Sequence, residues 1–361
     1  MKDTYDIAVV HGDGIGPEVC AAAVTVLRAA FGASSPLRFA EYPAGAEHYR
    51  LTGESFPKTS FEACRAADAI LHGAAGIPGI NHPDGTEAGL DFTLRLRFEL
   101  DLFANIRPIR LLPGVRSPLR DVKAGDIDYV IVRENSEGLY SARGSGALLR
   151  SEVAVDTLVQ TRKGIERCVR KAFELSRASN GAPSDGVRRV TCCDKANVLR
   201  SYAFFRAVFD EVARDDPDIA SEHVLVDAMT MHQVLRPAHF NVIVTENMFG
   251  DIISDLGAAT IGGVGLAPSA ETGNDRGLFQ ASHGSAPDIA GKGVANPYGT
   301  ILSAAEMLSW LGKTHEDVRL TEVAKRLQHS VSQTLPTCYL SHDLGGTTST
   351  AEIVGQLCDT I

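Results

Sequence analysis

The chain has 361 residues, 44% of them apolar, and a formal net charge of −10. That length suffices for more than one hydrophobic core, and the acidic balance excludes general affinity for nucleic acid or anionic lipid, both of which need clustered positive charge. No stretch approaches the roughly 18 apolar residues that span a bilayer. The charged opening Met1–Asp6 does not read as a signal peptide, and cysteines without metal-site spacing fit a reducing, cytoplasmic compartment.

The first strand is expected at Ile7–Val10. It runs into His11-Gly12-Asp13-Gly14-Ile15-Gly16-Pro17-Glu18, a glycine-rich turn before a helix. The glycine spacing is not the G-x-G-x-x-G of a dinucleotide fingerprint, so the turn is either a tight structural corner or a ligand loop of another kind. Further strand-like runs stand at Ala69–Leu71, Tyr129–Val132, Val190–Cys192, Val224–Val226 and Val242–Val244. Between them Ile165, Cys168, Val169, Ala172 and Phe173 fall at helical spacing, as do Val198, Tyr202, Phe205, Val208, Phe209 and Val212. This alternation is the pattern of an α/β protein. The segment 179–186 reads as a surface loop, and Cys192-Cys193, pointing to opposite faces of a strand, as ordinary core and surface thiols.

Several clusters carry candidate chemistry. Arg97, Arg107 and Arg133 punctuate element ends; guanidinium forks suit carboxylates, so the three either converge on an acid group or form separate surface ion pairs. Asp251 and Asp255, four residues apart after a strand, share a helical face. Their repulsion is relieved by a divalent cation, for which Asp227 offers another carboxylate, although a helix start also accommodates acids alone. Lys195 lies where a strand gives way to a helix, either as a solvated lysine or, if desolvated, as a base. The loop from His283 through Gly284, Ser285, Ala286, Asp288 and Ile289 to Asn296 is rich in small residues and admits a flat ligand or plain solvent.

Together and in this order, G-D-G-I-G-P-E, D-L-F-A-N-I-R-P, R-E-N-S-E-G-L-Y, D-K-A-N-V, N-M-F-G-D-I-I-S-D-L and H-G-S-A-P-D-I-A-G-K resemble the β-decarboxylating dehydrogenases of the isocitrate/isopropylmalate dehydrogenase family. The resemblance implies a two-domain α/β fold that is not a Rossmann domain. Residues 1–100 plus 255–361 would form a discontinuous large domain, and 101–254 a small domain with a dimer interface. It implies that Arg97, Arg107 and Arg133 hold substrate carboxylate, that Lys195 and Tyr140 move protons, and that Asp227, Asp251 and Asp255 bind Mg2+ or Mn2+. NAD would lie against Val264, Gly265 and the 283–296 loop. It further implies a homodimer in which Lys195 and Asp227 reach into the neighbouring subunit's site.

Within the family, the chain departs from the usual proline at His11. In the segment that reads the variable substituent, Asp91 and Thr93 replace the serine and asparagine of isocitrate enzymes, and a carboxylate at Asp91 repels isocitrate's third acid group. Hydrogen bonding by these two residues favours a tartrate- or D-malate-like acid. The alternative is 3-isopropylmalate dehydrogenase of leucine biosynthesis, with Leu90 and Leu94 as an apolar wall. A catalytically silent regulatory subunit, from another functional class, would show a broken constellation, and every member is present. Asp288-Ile289 implies NAD rather than NADP, because a carboxylate accepts from ribose hydroxyls and repels a 2′-phosphate.

Overall fold

The structure, a computed structural model, describes residues 2–361 and divides into two compact units. The first holds residues through Leu100, Leu112–Arg116 and Gly262–Ile361; the second holds Asp101–Leu111 and Ser117–Ile261.

The first unit opens with β1 (Tyr5–Gly12), α1 (Gly16–Phe31), β2 (Leu37–Glu41), α2 (Ala46–Thr52), α3 (Lys58–Ala66), β3 (Ala69–Ala74) and α4 (Asp91–Glu99). The second contains β4 (Ala104–Arg110), β5 (Asp128–Glu134), the hairpin β6 (Ala147–Leu149) and β7 (Val153–Val155), and α5 (Arg162–Ala178). It continues through β8 (Arg189–Asp194), α6 (Arg200–Ala213), β9 (Ala220–Leu225), α7 (Val226–Leu235), β10 (Val242–Thr245) and α8 (Asn247–Thr260). The chain then returns to the first unit as β11 (Pro268–Thr272), β12 (Gly277–Ala281), α9 (Tyr298–Thr314), α10 (Val318–Thr334) and α11 (Thr350–Thr360).

In the first unit the strand order is β2-β1-β3-β12-β11; β1 is parallel to β2 and β3, β12 parallel to β3, and β11 antiparallel to β12. In the second it is β4-β5-β10-β8-β9, parallel except for β4 against β5. Strands covered on both faces read as unbroken apolar runs, and β3 and β10 are buried along their whole length. Helix α5 buries Ile165, Cys168, Val169, Ala172 and Phe173 against the core of the second unit. Its N-cap, Thr161, accepts the Gly164 N–H, a contact worth about 1 kcal/mol. Among the described residues no helix is long and apolar enough to cross a membrane.

Four local expectations are corrected. Strand β9 ends at Leu225, so Val226 and Asp227 begin α7; an apolar run that crosses a strand–helix border does not mark the border. Val198 precedes α6 and is 68% exposed, because the Val198 and Leu199 N–H groups both turn back to the Lys195 carbonyl. Cys192 and Cys193 are both buried free thiols, since β8 lies between β10 and β9 with cover on both faces. The chain returns to the first unit at Gly262 and not at 255, because α8 is one continuous helix packed on β5.

Candidate active site

In the second unit, β4 and β5 are antiparallel with Asn105 opposite Arg133 and Arg107 opposite Ile131. Side chains two apart on a strand, and those directly opposed across the pair, share a face. Asn105, Arg107 and Arg133 therefore lie on one side of the sheet, where both arginines are buried. Such charges need counter-charges and hydrogen bonds. Helix α8 supplies them. Its start is fixed by Glu246, whose carboxylate accepts the Met248 and Phe249 N–H groups at 3.1 and 2.8 Å. Arg133 donates from Nε and Nη2 to Asn247 Oδ1 at 2.9 and 2.7 Å, and from Nη1 to Asp251. Arg107 Nη1 donates to Ser254 Oγ at 2.5 Å and stands 3.3 Å from Asp251 and 3.9 Å from Asp255.

Tyr140 completes the cluster. Its hydroxyl donates to Asp251 Oδ2 at 3.1 Å, and its ring centroid lies 5.5 Å from the Arg133 guanidinium carbon. Burial first, and then the Asp251 charge, push the phenol above its ordinary value, so at neutral pH Tyr140 is a proton donor. Burial likewise raises the Asp255 carboxyl, with Arg107 opposing and Asp251 adding to the rise. Two carboxylates on one helical face are a hard-oxygen donor set suited to Mg2+ or Mn2+.

The third carboxylate expected for the metal is elsewhere. Asp227, in the first turn of α7, is bonded by Lys195 Nζ, and that bond holds its carboxyl below the usual range. Among the described residues no group of three His, Cys, Asp or Glu side chains is assembled. Lys195 follows β8 in a turn shaped by buried Asp194, which accepts the Ala196 N–H at 2.9 Å and a bidentate pair from Arg206. The lysine and tyrosine expected to move protons thus belong to different pairs.

In the first unit, Arg97 donates from Nε and Nη2 to buried Glu271 at 2.7 and 2.6 Å, and Gln280 Nε2 donates to the same carboxylate at 2.7 Å. Asp91 accepts from Ser55 Oγ at 3.0 Å and pairs with His82. Buried Thr93 donates its hydroxyl to the Leu90 carbonyl at 2.8 Å. Leu90, by contrast, is 38% exposed. With Leu94 and Arg97 it falls at the spacing of a single helix face.

Val264 and Gly265 form a short 3-10 turn before β11. Asn296 donates to Asp343 at 3.0 Å and accepts the Tyr298 N–H at 3.0 Å, tying the end of the 283–296 loop to the start of α9. Burial keeps His283 below the usual imidazole range. Buried Ser285 donates to the Gly76 carbonyl, Ala286 takes a positive φ of 38°, and Asp288 stands exposed beside half-buried Ile289. Gly284 has no neighbour within 4 Å of the place a Cβ would occupy, so its backbone is open to a ligand. An exposed carboxylate beside open backbone fits a ribose with two free hydroxyls.

Sequence reasoning missed Asn247, Ser254 and Glu246, which orient the arginines and start α8. Each is a short polar or capping residue inside a motif whose aspartates drew the attention. The only available signal for Glu246 was an acid immediately before a helical run.

The family model described as isocitrate/isopropylmalate dehydrogenase matches residues 6–357. The 3-isopropylmalate/3-methylmalate dehydrogenase of Methanocaldococcus jannaschii is 42% identical over 354 residues, covering 98% of each chain. The 3-isopropylmalate dehydrogenase of Listeria monocytogenes is 40% identical over 359 residues, covering 98% of this chain and 97% of that one. The crystal structure of isocitrate dehydrogenase from Methylococcus capsulatus superimposes with a TM-score of 0.87 at 33% identity, covering 99% of both chains. The chain belongs to the isocitrate/isopropylmalate dehydrogenase family, with that family's α/β fold, and is a NAD-dependent decarboxylating dehydrogenase that works with NAD and Mg2+ or Mn2+.

Proposed function

We propose that the substrate is a 3-alkylmalate, with 3-isopropylmalate the best match. The observation that carries this is the face on which exposed Leu90, immediately before α4, and half-buried Leu94 stand at helical spacing from Arg97, an apolar wall in line with the buried Arg97–Glu271 pair. The names of the relatives agree. The polar groups that favour a tartrate- or D-malate-like acid have local partners: Thr93 bonds Leu90, and Asp91 is engaged by Ser55 and His82. Asp91 nevertheless keeps its side chain 33% exposed, which leaves D-malate as the second reading.

In this reading Arg107 and Arg133 grip the malate carboxylates, and Arg97 serves the same acid. Asp251 and Asp255 hold the divalent ion, with Asp227 of a second copy as the third carboxylate. When bound, the ion supplies Lewis-acid polarisation and NAD+ supplies the hydride acceptor. The chain's own groups handle the protons. Lys195 takes the proton of the C2 hydroxyl, and Tyr140, kept protonated by its surroundings, delivers one to C3 after carbon dioxide leaves. Val264, Gly265 and the loop with His283, Gly284, Ser285, Ala286, Asp288, Ile289 and Asn296 hold NAD, Asp288 accepting from its ribose.

The partner is a second copy of the chain. Met231, Val234 and Leu235 on α7, Ile252 on α8, and Leu148, Leu149, Val153 and Val155 on the β6–β7 hairpin are all exposed, Leu235 to 71%. So much apolar surface on one unit supports a buried interface, and a partner that brings Lys195 with Asp227 would supply the third carboxylate that is not assembled among the described residues. Free thiols at every described cysteine support a cytoplasmic setting. The test is kcat/KM with NAD+ for 3-isopropylmalate, 3-methylmalate, D-malate, the tartrates, isocitrate and homoisocitrate. First rank for an alkylmalate is expected; first rank for D-malate or tartrate would overturn the substrate reading.

A further inference from the structure

The glycine-rich turn after β1 touches none of the groups assigned above to proton transfer, metal or carboxylate, yet its backbone and side chains are bonded to several other segments of the first unit. The Asp13 carboxylate is buried and accepts three backbone N–H groups, from Ala46 at 2.9 Å, Glu47 at 3.0 Å and Gly76 at 2.8 Å. The Ile15 N–H donates to the Ser285 carbonyl at 2.8 Å. Gly14, with φ +57°, approaches so closely that a Cβ there would lie 1.9 Å from that same carbonyl oxygen. One helical turn on, Glu18 Oε1 accepts the Ala295 N–H at 3.0 Å and also meets the Thr350 hydroxyl. Thr350 in turn donates its own N–H to the Gly293 carbonyl at 2.9 Å. Ile15, Val19 and Ala295 are buried together, with Ala286, Ile289 and Ala290 packed against them.

We infer that the segment from Asp13 to Glu18 is a clamp that sets the shape of the 283–296 loop, with Glu18 as its positioning residue. The inference rests on the reading of that loop as the NAD site. The clamp grips the loop at two points, Ser285 through Ile15 and Ala295 through Glu18 together with the Thr350 hydroxyl, which lies 2.7 Å from the Ala295 carbonyl, and leaves the stretch between them, with Asp288 at the exposed turn, spanning fixed ends. A loop held at both ends is ordered before the ligand arrives, whereas a loop released at one end must be ordered by the ligand, at a cost in affinity. Proton transfer, metal binding and grip on the acid lie with other residues, so release should weaken cofactor binding and leave the rest untouched. This separates Glu18 from a residue that merely supports the fold.

The test uses the purified, full-length enzyme and titrates NADH by its fluorescence. Glu18→Ala should raise the NADH Kd and the NAD+ KM about tenfold, the effect of one lost hydrogen bond to a charged acceptor. The acid's KM and kcat at saturating NAD+ should hold. Glu18→Gln keeps a carbonyl oxygen able to accept from Ala295 and should restore most of the affinity. Thr350→Val, similar in shape, removes the hydroxyl that meets both Glu18 Oε1 and the Ala295 carbonyl and should move NADH binding in the same direction, which keeps the question answerable if Glu18→Ala folds poorly. Asp288→Ala is run alongside. If Asp288→Ala weakens NADH binding while Glu18→Ala and Thr350→Val do not, the clamp is refuted and the loop reading survives. If Asp288→Ala leaves NADH binding unchanged, the loop reading fails and the clamp with it. A fall in kcat and in grip on the acid, in step with cofactor affinity, would mark Glu18 as a general structural residue and also overturn the inference.

Discussion

Gly250→Ala probes how closely Arg133 is fitted to α8. In an exposed helix interior this change is stabilising by about 0.5–1 kcal/mol, because alanine loses less backbone freedom than glycine. Here the added Cβ would lie 2.6 Å from both Arg133 Cβ and Cγ. Those atoms sit at the root of the side chain and cannot swing aside, and the guanidinium beyond them is 1% exposed and bonded to Asn247 and Asp251. Overpacking a filled site costs about 1–3 kcal/mol, more than the helix gain, so the variant should be destabilised by about 1–2 kcal/mol. A displacement of about 1 Å at a substrate-holding group costs on the order of a hundredfold in rate. The expected result is a lower urea midpoint with a fall in kcat/KM of about ten- to a hundredfold, carried mainly by the KM of the acid. A variant that is more stable than wild type and equally active would refute the packing argument and the place given to Arg133.

Three further outcomes follow from the same geometry. If Lys195 serves the partner's site, co-expressed Lys195→Ala and Tyr140→Phe chains, each inactive alone, should recover on the order of a quarter of wild-type activity through mixed dimers with one intact site; verified mixed dimers without activity would place both residues in one chain's site. NAD+ should be preferred over NADP+ by at least about tenfold in kcat/KM, and Asp288→Lys with Ile289→Tyr should reverse or erase that preference; an unchanged ratio would clear Asp288 of the role. Burial pushes the Glu134 carboxyl up to about 7 against the hydrogen bonds of Ser136 and Glu137, so the folded state holds this proton more tightly than the unfolded chain. That contribution to stability is fully present below about pH 4.5 and is lost as pH rises through about 7, with a slope of at most about 1.4 kcal/mol per pH unit. The stability of wild type relative to Glu134→Gln should therefore decline between about pH 5 and pH 7, and a constant difference would contradict the shift.

The site was legible wherever periodicity and charge coincide. Four-residue spacing put Asp251 and Asp255 on one face of α8, whereas the spacing of Arg107 and Arg133 left open separate surface ion pairs, and only the pairing of β4 with β5 puts both on one buried face. Less legible were contacts made at long sequence separation. Nothing near Arg97 announces Glu271, and Ser55 is remote from Asp91. Thr93 read as a group facing substrate, but three residues into a helical segment its hydroxyl reaches the Leu90 carbonyl instead. Strands β2, β11 and β12 escaped notice because short runs such as Leu37-Arg38-Phe39-Ala40-Glu41 or Gly277-Leu278-Phe279-Gln280-Ala281 carry too few apolar residues to show a period.

The chemistry of the account is tested most directly by measuring NADH and carbon dioxide together while the enzyme turns over 3-isopropylmalate, with Mg2+ or Mn2+ present and after exhaustive EDTA treatment. The two products should appear one for one, and both should vanish with the metal. NADH without carbon dioxide, or turnover that persists once elemental analysis finds no metal, would contradict the roles given to Asp251, Asp255, Lys195 and Tyr140.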